Sequence, residues 1–130
     1  MLEAMTQNKW MSAAGCLMAL TVLVHVFAGG PENYAPLRAS DDALPEIARS
    51  VLSVVWHAIT VILIGFAVAL FILVRRENAG LFWLVLSIQL GFAFLFLVYG
   101  IADFGSLWPM PQWIIFSGIP VLMLMGRRSA

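Results

Sequence analysis

The sequence predicts an all-α membrane protein: an antiparallel four-helix transmembrane bundle with both termini on the cytoplasmic side. Three observations predict it. Of 130 residues, 62% are apolar and 11% charged, where soluble domains carry about 45–50% and about 25%. The charged residues fall in clusters that leave four long uncharged stretches. Lys and Arg are distributed unequally among those clusters, as they are in multi-pass proteins. Seven Lys/Arg balance seven Asp/Glu, which excludes a basic nucleic-acid binder and a polyacidic or disordered tail. Cys16 is the one cysteine, so neither an intrachain disulfide nor a cysteine-based metal framework is available. Any site is built from His, carboxylate, amide or Met.

The stretches 10–27, 51–74, 79–102 and 105–126 contain 18, 24, 24 and 22 residues, and a helix needs about 20 to cross about 30 Å of hydrocarbon. They show no alternation of period two, which excludes barrel strands. The first helix is predicted at 10–28, stopped by Gly29-Gly30-Pro31. Its apolar run exceeds the 7–15 residues of a signal-peptide core and contains His25, so it reads as a retained span. An outer loop at 29–44 follows, too short for a domain and too long for a tight turn, which suits a flap over the bundle mouth. Ser40-Asp41-Asp42 supplies N-cap and first-turn residues for a second helix at 44–75. The turn 75–78 makes the third helix, 79–103, its antiparallel neighbour. Trp108-Pro109-Met110-Pro111 delays the fourth helix to 111–126, and Pro120 within it predicts a kink. The whole chain, 1–130, forms a single transmembrane domain.

Orientation follows from the cations. Lys9, Arg75, Arg76, Arg127 and Arg128 lie on one side of the predicted spans and Arg38 and Arg49 on the other, so five against two place both termini in the cytoplasm. Five cations less Glu3 and Glu77 leave the inner side at +3; two cations less Glu32, Asp41, Asp42, Glu46 and Asp103 leave the outer side at −3. The chain is therefore expected in the inner (plasma) membrane, with the lipid bilayer as partner and no nucleic acid.

Polar residues within spans usually face the bundle and often mark function. Glu46, Ser50, Ser53, His57 and Thr60 recur at helical spacing, as do Met18, Thr21, His25 and Gly29, and Gln89, Ala93, Phe96, Gly100 and Asp103. Counting 1.5 Å per residue, His25 and His57 lie about 5 and about 9 Å below the outer boundary on consecutive helices, and Gln89 lies about 20 Å below it. The pair predicts an outer-leaflet pocket. His25 and His57 are its candidate ligands for a transition metal, with Asp103 or Glu46 completing the shell, or for haem b, with Arg38 and Arg49 facing the propionates. Thr21, Ser53, Thr60 and Gln89 are the remaining polar lining. In architecture alone the pair is similar to that of four-helix membrane haem proteins, which is an analogy of fold. Against the ligand reading stands one in which each histidine is interhelical hydrogen-bonding glue.

No nucleophile, base and orienting group combine in the sequence, and no phosphate-binding glycine loop is present, so catalysis is not expected. The first functional expectation is a small membrane protein that binds a metal or haem and serves electron transfer. The alternative is a non-catalytic accessory or assembly subunit of a larger membrane complex, with structural histidines. Proton-coupled transport through Gln89, His57 and Asp103 is a third reading and requires a homo-oligomer, since one protomer has few helices to line a path.

Overall fold

The computed structural model describes residues 8–40 and 44–127. These form four helices and, among the described residues, no strand. Helix α1 spans Lys9–Ala39, α2 Glu46–Arg75, α3 Ala79–Phe104 and α4 Gln112–Met125. The first three are long and apolar enough to cross a membrane, and α4 is a shorter apolar helix of 14 residues.

Local chemistry explains most of the helix ends. The Asn8 side chain accepts from the Met11 N–H at 3.2 Å and the Asn78 side chain from the Leu81 N–H at 2.9 Å. Each satisfies one of the orphan donors of a first turn. Prolines 45 and 111 immediately precede α2 and α4. Helix α3 ends at Gly105, whose φ of 62° is the left-handed C-terminal conformation that a residue without Cβ adopts most readily.

The predicted loop 29–44 is corrected by the structure. Gly29-Gly30-Pro31 does not stop α1; the helix passes through it and continues to Ala39. Between His25 and Tyr34 the winding widens to the π form, seen at its end in the Ala35 N–H bonding to the Gly30 carbonyl five residues back. In an α-helix the Pro31 ring would meet the carbonyl four residues earlier, and the wider register relieves that encounter. Helix α1 closes at Ser40, whose hydroxyl donates to the Leu37 carbonyl at 2.8 Å. The predicted cap residues Asp41 and Asp42 lie outside the described residues, and α2 starts at Glu46.

The helices form a ring in chain order. Helix α1 packs on α2 and α4, α3 packs on α4, and α2 meets α3 more lightly. Contacts fix their directions: His25 meets Thr60 while Gly15 faces Phe71 across α1 and α2, so these two run oppositely. Gln89 meets Met123 while Phe96 stacks on Phe116, so α3 and α4 do likewise. At the end where α1 begins, the Asn8 side-chain amide donates to the Gly126 carbonyl and ties the two ends of the described chain together.

The core lies toward that same end. Met11, Ala14 and Met18 of α1 meet Leu63, Leu70 and Leu73 of α2, Val85 and Leu86 of α3, and Ile119 and Met123 of α4. Every buried residue of α2 falls between Leu63 and Leu73, and none falls between 46 and 62. The bundle is closed at one end and open at the other.

Candidate functional site

At the open end, the far half of α1 lies along the first half of α2, and the polar and aromatic side chains predicted for a pocket are spent largely on that contact. The π-wound segment is what allows it. Nine residues separate His25 from Tyr34, which is about two and a half turns at 3.6 residues per turn, so an α-helix would point the two in opposite directions. Wider winding brings His25, Gly29 and Tyr34 to one side, at steps of four and five residues, and Arg38 follows four residues later. All four meet α2.

The His25 ring stacks on Trp56, with centroids 4.2 Å apart and planes 20° apart. Tyr34 also stacks on Trp56 at 5.8 Å and turns its ring against His57 at 5.2 Å, edge to face. A Cβ placed on Gly29 would sit 3.1 Å from the Trp56 indole, so the absence of a side chain there admits the ring. Arg38 donates to the Ser53 hydroxyl at 3.4 Å, and Ser53 in turn donates to the Arg49 carbonyl at 2.8 Å.

His25 is chemically committed. Its Nε2 lies 3.1 Å from the Thr60 hydroxyl, which also lies 3.2 Å from the Trp56 carbonyl. The hydroxyl accepts from His25 when it donates its single proton to the Trp56 carbonyl, and donates to Nε2 in the other imidazole tautomer. Ligation of a metal or haem iron through Nε2 would break this bond. His57, by contrast, is exposed on α2.

The predicted trio of His25, His57 and Asp103 is not assembled: among the described residues, no group of three His, Cys, Asp or Glu side chains is placed to hold a metal ion. Asp103 is exposed near the end of α3, and Glu46 is exposed at the start of α2. Thr21, almost fully buried, donates to the Leu17 carbonyl of its own helix at 2.8 Å. Gln89 lies in the core between α3 and α4, away from the histidines, with its Nε2 3.8 Å from the Met123 sulfur. Of the predicted polar set, the structure therefore joins His25 to Thr60 and Arg38 to Ser53, and sends Thr21, Gln89 and Asp103 elsewhere.

Tyr34 and Trp56 were not among the predicted site residues, yet they lie at its centre. The signal for Trp56 was available: it precedes Thr60 by one helical turn, on the face that meets His25. Tyr34 had no such signal, because it enters only when residues 29–39 are helical and widely wound. In comparisons with known proteins, no family model, no curated protein and no solved structure matches the chain.

Proposed function

We propose that the chain is an integral protein of the inner membrane, an antiparallel four-helix bundle with cytoplasmic termini. Its role is that of a non-catalytic accessory subunit docking a larger membrane complex through the outer ends of α1 and α2. The observation that carries this reading is an apolar stripe where the bundle is open: Ile47, Val51 and Val54 on α2 are 73%, 54% and 68% exposed.

The lengths of the helices support the placement of that stripe. Helix α2 has 30 residues and is about 45 Å long, against about 30 Å of hydrocarbon. Measured from Arg75 at the inner boundary, about 20 residues reach the outer boundary near Val55. The turns before it, with Glu46 and Arg49, stand in the headgroup region and beyond. Trp56 and Tyr34 then lie at the interface, where amphipathic rings are favoured. The histidines serve this arrangement: the His25 bond and the Trp56 stack hold the projecting hairpin together. Ile47 stands beyond the outer boundary and Val51 and Val54 within about 6 Å of it, and an exposed Ile–Val stripe running out of the hydrocarbon is the kind of surface a protein partner covers.

Photocrosslinking amino acids at Ile47 and Val54, in cells, test the reading. They are expected to give one discrete adduct with one membrane protein, which copurifies at fixed stoichiometry in mild detergent. Ile47→Ser with Val54→Ser is expected to abolish copurification and leave the thermal midpoint of the chain unchanged. A lone monomer or homodimer without an adduct overturns the proposal. Stoichiometric metal or a haem spectrum in the purified chain, lost in His57→Ala, would replace it with the cofactor reading.

A further inference from the structure

The closed end of the bundle carries a cation that is held in place without being neutralised. Arg127 follows Gly126, the last residue of the α4 turn, and its guanidinium carbon lies 4.8 Å from the centre of the Trp83 ring and 5.9 Å from that of Phe82. Among the described residues its side-chain partners are these two rings, not a carboxylate. A guanidinium over aromatic faces is attracted by their quadrupoles while the N–H donors at its edge remain available to an anion. The platform beneath it is fixed. Phe82 is buried in the core, and Trp83, 45% exposed, stands edge to face against it with centroids 5.3 Å apart.

The level of this pair is that of lipid headgroups. Trp83 is four residues into α3, about 6 Å from the start of the helix, and tryptophan is favoured at that boundary. The Asn8 side chain bonds to the Gly126 carbonyl, which brings Lys9 to the same end as Arg127. Arg75 and Arg76 are exposed on the chain that leads into α3. Four cations and one acid, Glu77, therefore share this end among the described residues.

We propose that the Arg127–Trp83 pair is a binding site for the phosphate of one anionic phospholipid in the leaflet at the closed end. The guanidinium donates to the phosphate oxygens, the exposed part of the indole packs on the glycerol and acyl stems, and Lys9, Arg75 and Arg76 supply a field that favours a net negative headgroup. Charge complementarity selects this occupant. A zwitterionic lipid offers the same phosphate with a cation attached, which the field repels. An acidic protein segment matches the charge but meets it beyond the headgroups, whereas Arg127 is tied to a tryptophan at the depth of the lipid phosphates. The inference rests on the chain spanning a membrane and not on which way it faces, and the site lies at the opposite end from the Ile47–Val54 stripe.

Native mass spectrometry of the full chain in detergent tests it, with phosphatidylglycerol and phosphatidylcholine of identical acyl chains as probes. One phosphatidylglycerol is expected to bind about tenfold more tightly than phosphatidylcholine. Arg127→Gln is expected to lose about tenfold in phosphatidylglycerol affinity, as for a charge-assisted hydrogen bond, and Arg75→Gln only about twofold, as for an exposed charge pair. Trp83→Leu is expected to weaken binding with every cation retained. Arg127 is exposed and lies beyond α4, so Arg127→Gln is expected to keep the helix content of the parent by circular dichroism. Equal binding of the two lipids overturns the proposal. Equal losses in Arg127→Gln and Arg75→Gln would mean a diffuse field without a site, and unchanged affinity in Trp83→Leu would remove the platform; either overturns it. Displacement of the lipid by an equal concentration of inorganic phosphate overturns the assignment to a lipid.

Discussion

At the scale of the residue, His25 shows how one bond decides between two roles. A histidine in a span serves as interhelical glue through whichever ring nitrogen is engaged across the interface, and that nitrogen is then not free to ligate. Here Nε2 is engaged by the Thr60 hydroxyl, and Trp56 covers the ring face. The expected strength is modest, about 0.6 kcal/mol for an interhelical hydrogen bond in a membrane and about 0.5–1.5 kcal/mol for an aromatic stack. A double-mutant cycle with His25→Phe and Thr60→Val, read by unfolding in bilayer mimetics, is therefore expected to give a coupling of about 0.6 kcal/mol. Trp56→Ala is expected to cost about 2 kcal/mol, because His25 and Tyr34 both lose their platform. A coupling of zero would mean that the His25–Thr60 bond contributes nothing to holding α1 on α2.

At the scale of the element, the determining feature is the winding of α1. Because the π-wound turns keep His25, Gly29, Tyr34 and Arg38 on one side, a change of one residue in register alters everything beyond it. Inserting one alanine after Gly30 rotates the rest of α1 by about 100° and carries Tyr34 and Arg38 away from α2. Arg38→Cys with Ser53→Cys, in a Cys16→Ser background, is expected to cross-link through a short bifunctional thiol reagent. The same pair with the insertion is expected to fail, and undiminished cross-linking would show that the winding is unimportant. The same element explains where the sequence was readable. Uncharged stretches announced the long apolar helices because hydrocarbon excludes charge from their middles. Gly29, Gly30 and Pro31 each break an α-helix, and nothing in their spacing distinguishes a stop from a widened turn, so the extension to Ala39 was hidden. Steps of three and four on α2 likewise define a stripe but not its edges. They put Ser53 and Thr60 against α1 and leave Ser50 and His57 on the exposed flank.

At the scale of the whole molecule, the four-helix ring sorts charge by end, and this supports the proposed orientation. The Asn8 amide holds Gly126, which brings Lys9 and Arg127 to one end. The Arg127 guanidinium lies 4.8 Å from the Trp83 ring centre, at the start of α3 and just past Arg75 and Arg76. Four cations and Glu77 thus share the closed end with Trp10 and Trp83, while Arg38 and Arg49 stand with Glu32, Glu46 and Asp103 at the open one. Arg128, which the sequence assigns to the same inner group, lies outside the described residues. Cations within a few residues of span ends hold the cytoplasmic side, and acids weigh little in that choice. With Cys16→Ser as background, Ala35→Cys is expected to react with a membrane-impermeant maleimide in intact cells. Ala79→Cys is expected to react only after permeabilisation. Both positions are exposed, so neither result is confounded by burial. Labelling of Ala79→Cys in intact cells would invert the proposed orientation, and equal labelling of both would mean that the cations do not hold one. Because α1 and α2 are the helices that outrun the hydrocarbon, the same experiment decides whether the Ile47–Val54 stripe meets its partner outside the membrane or in the cytoplasm.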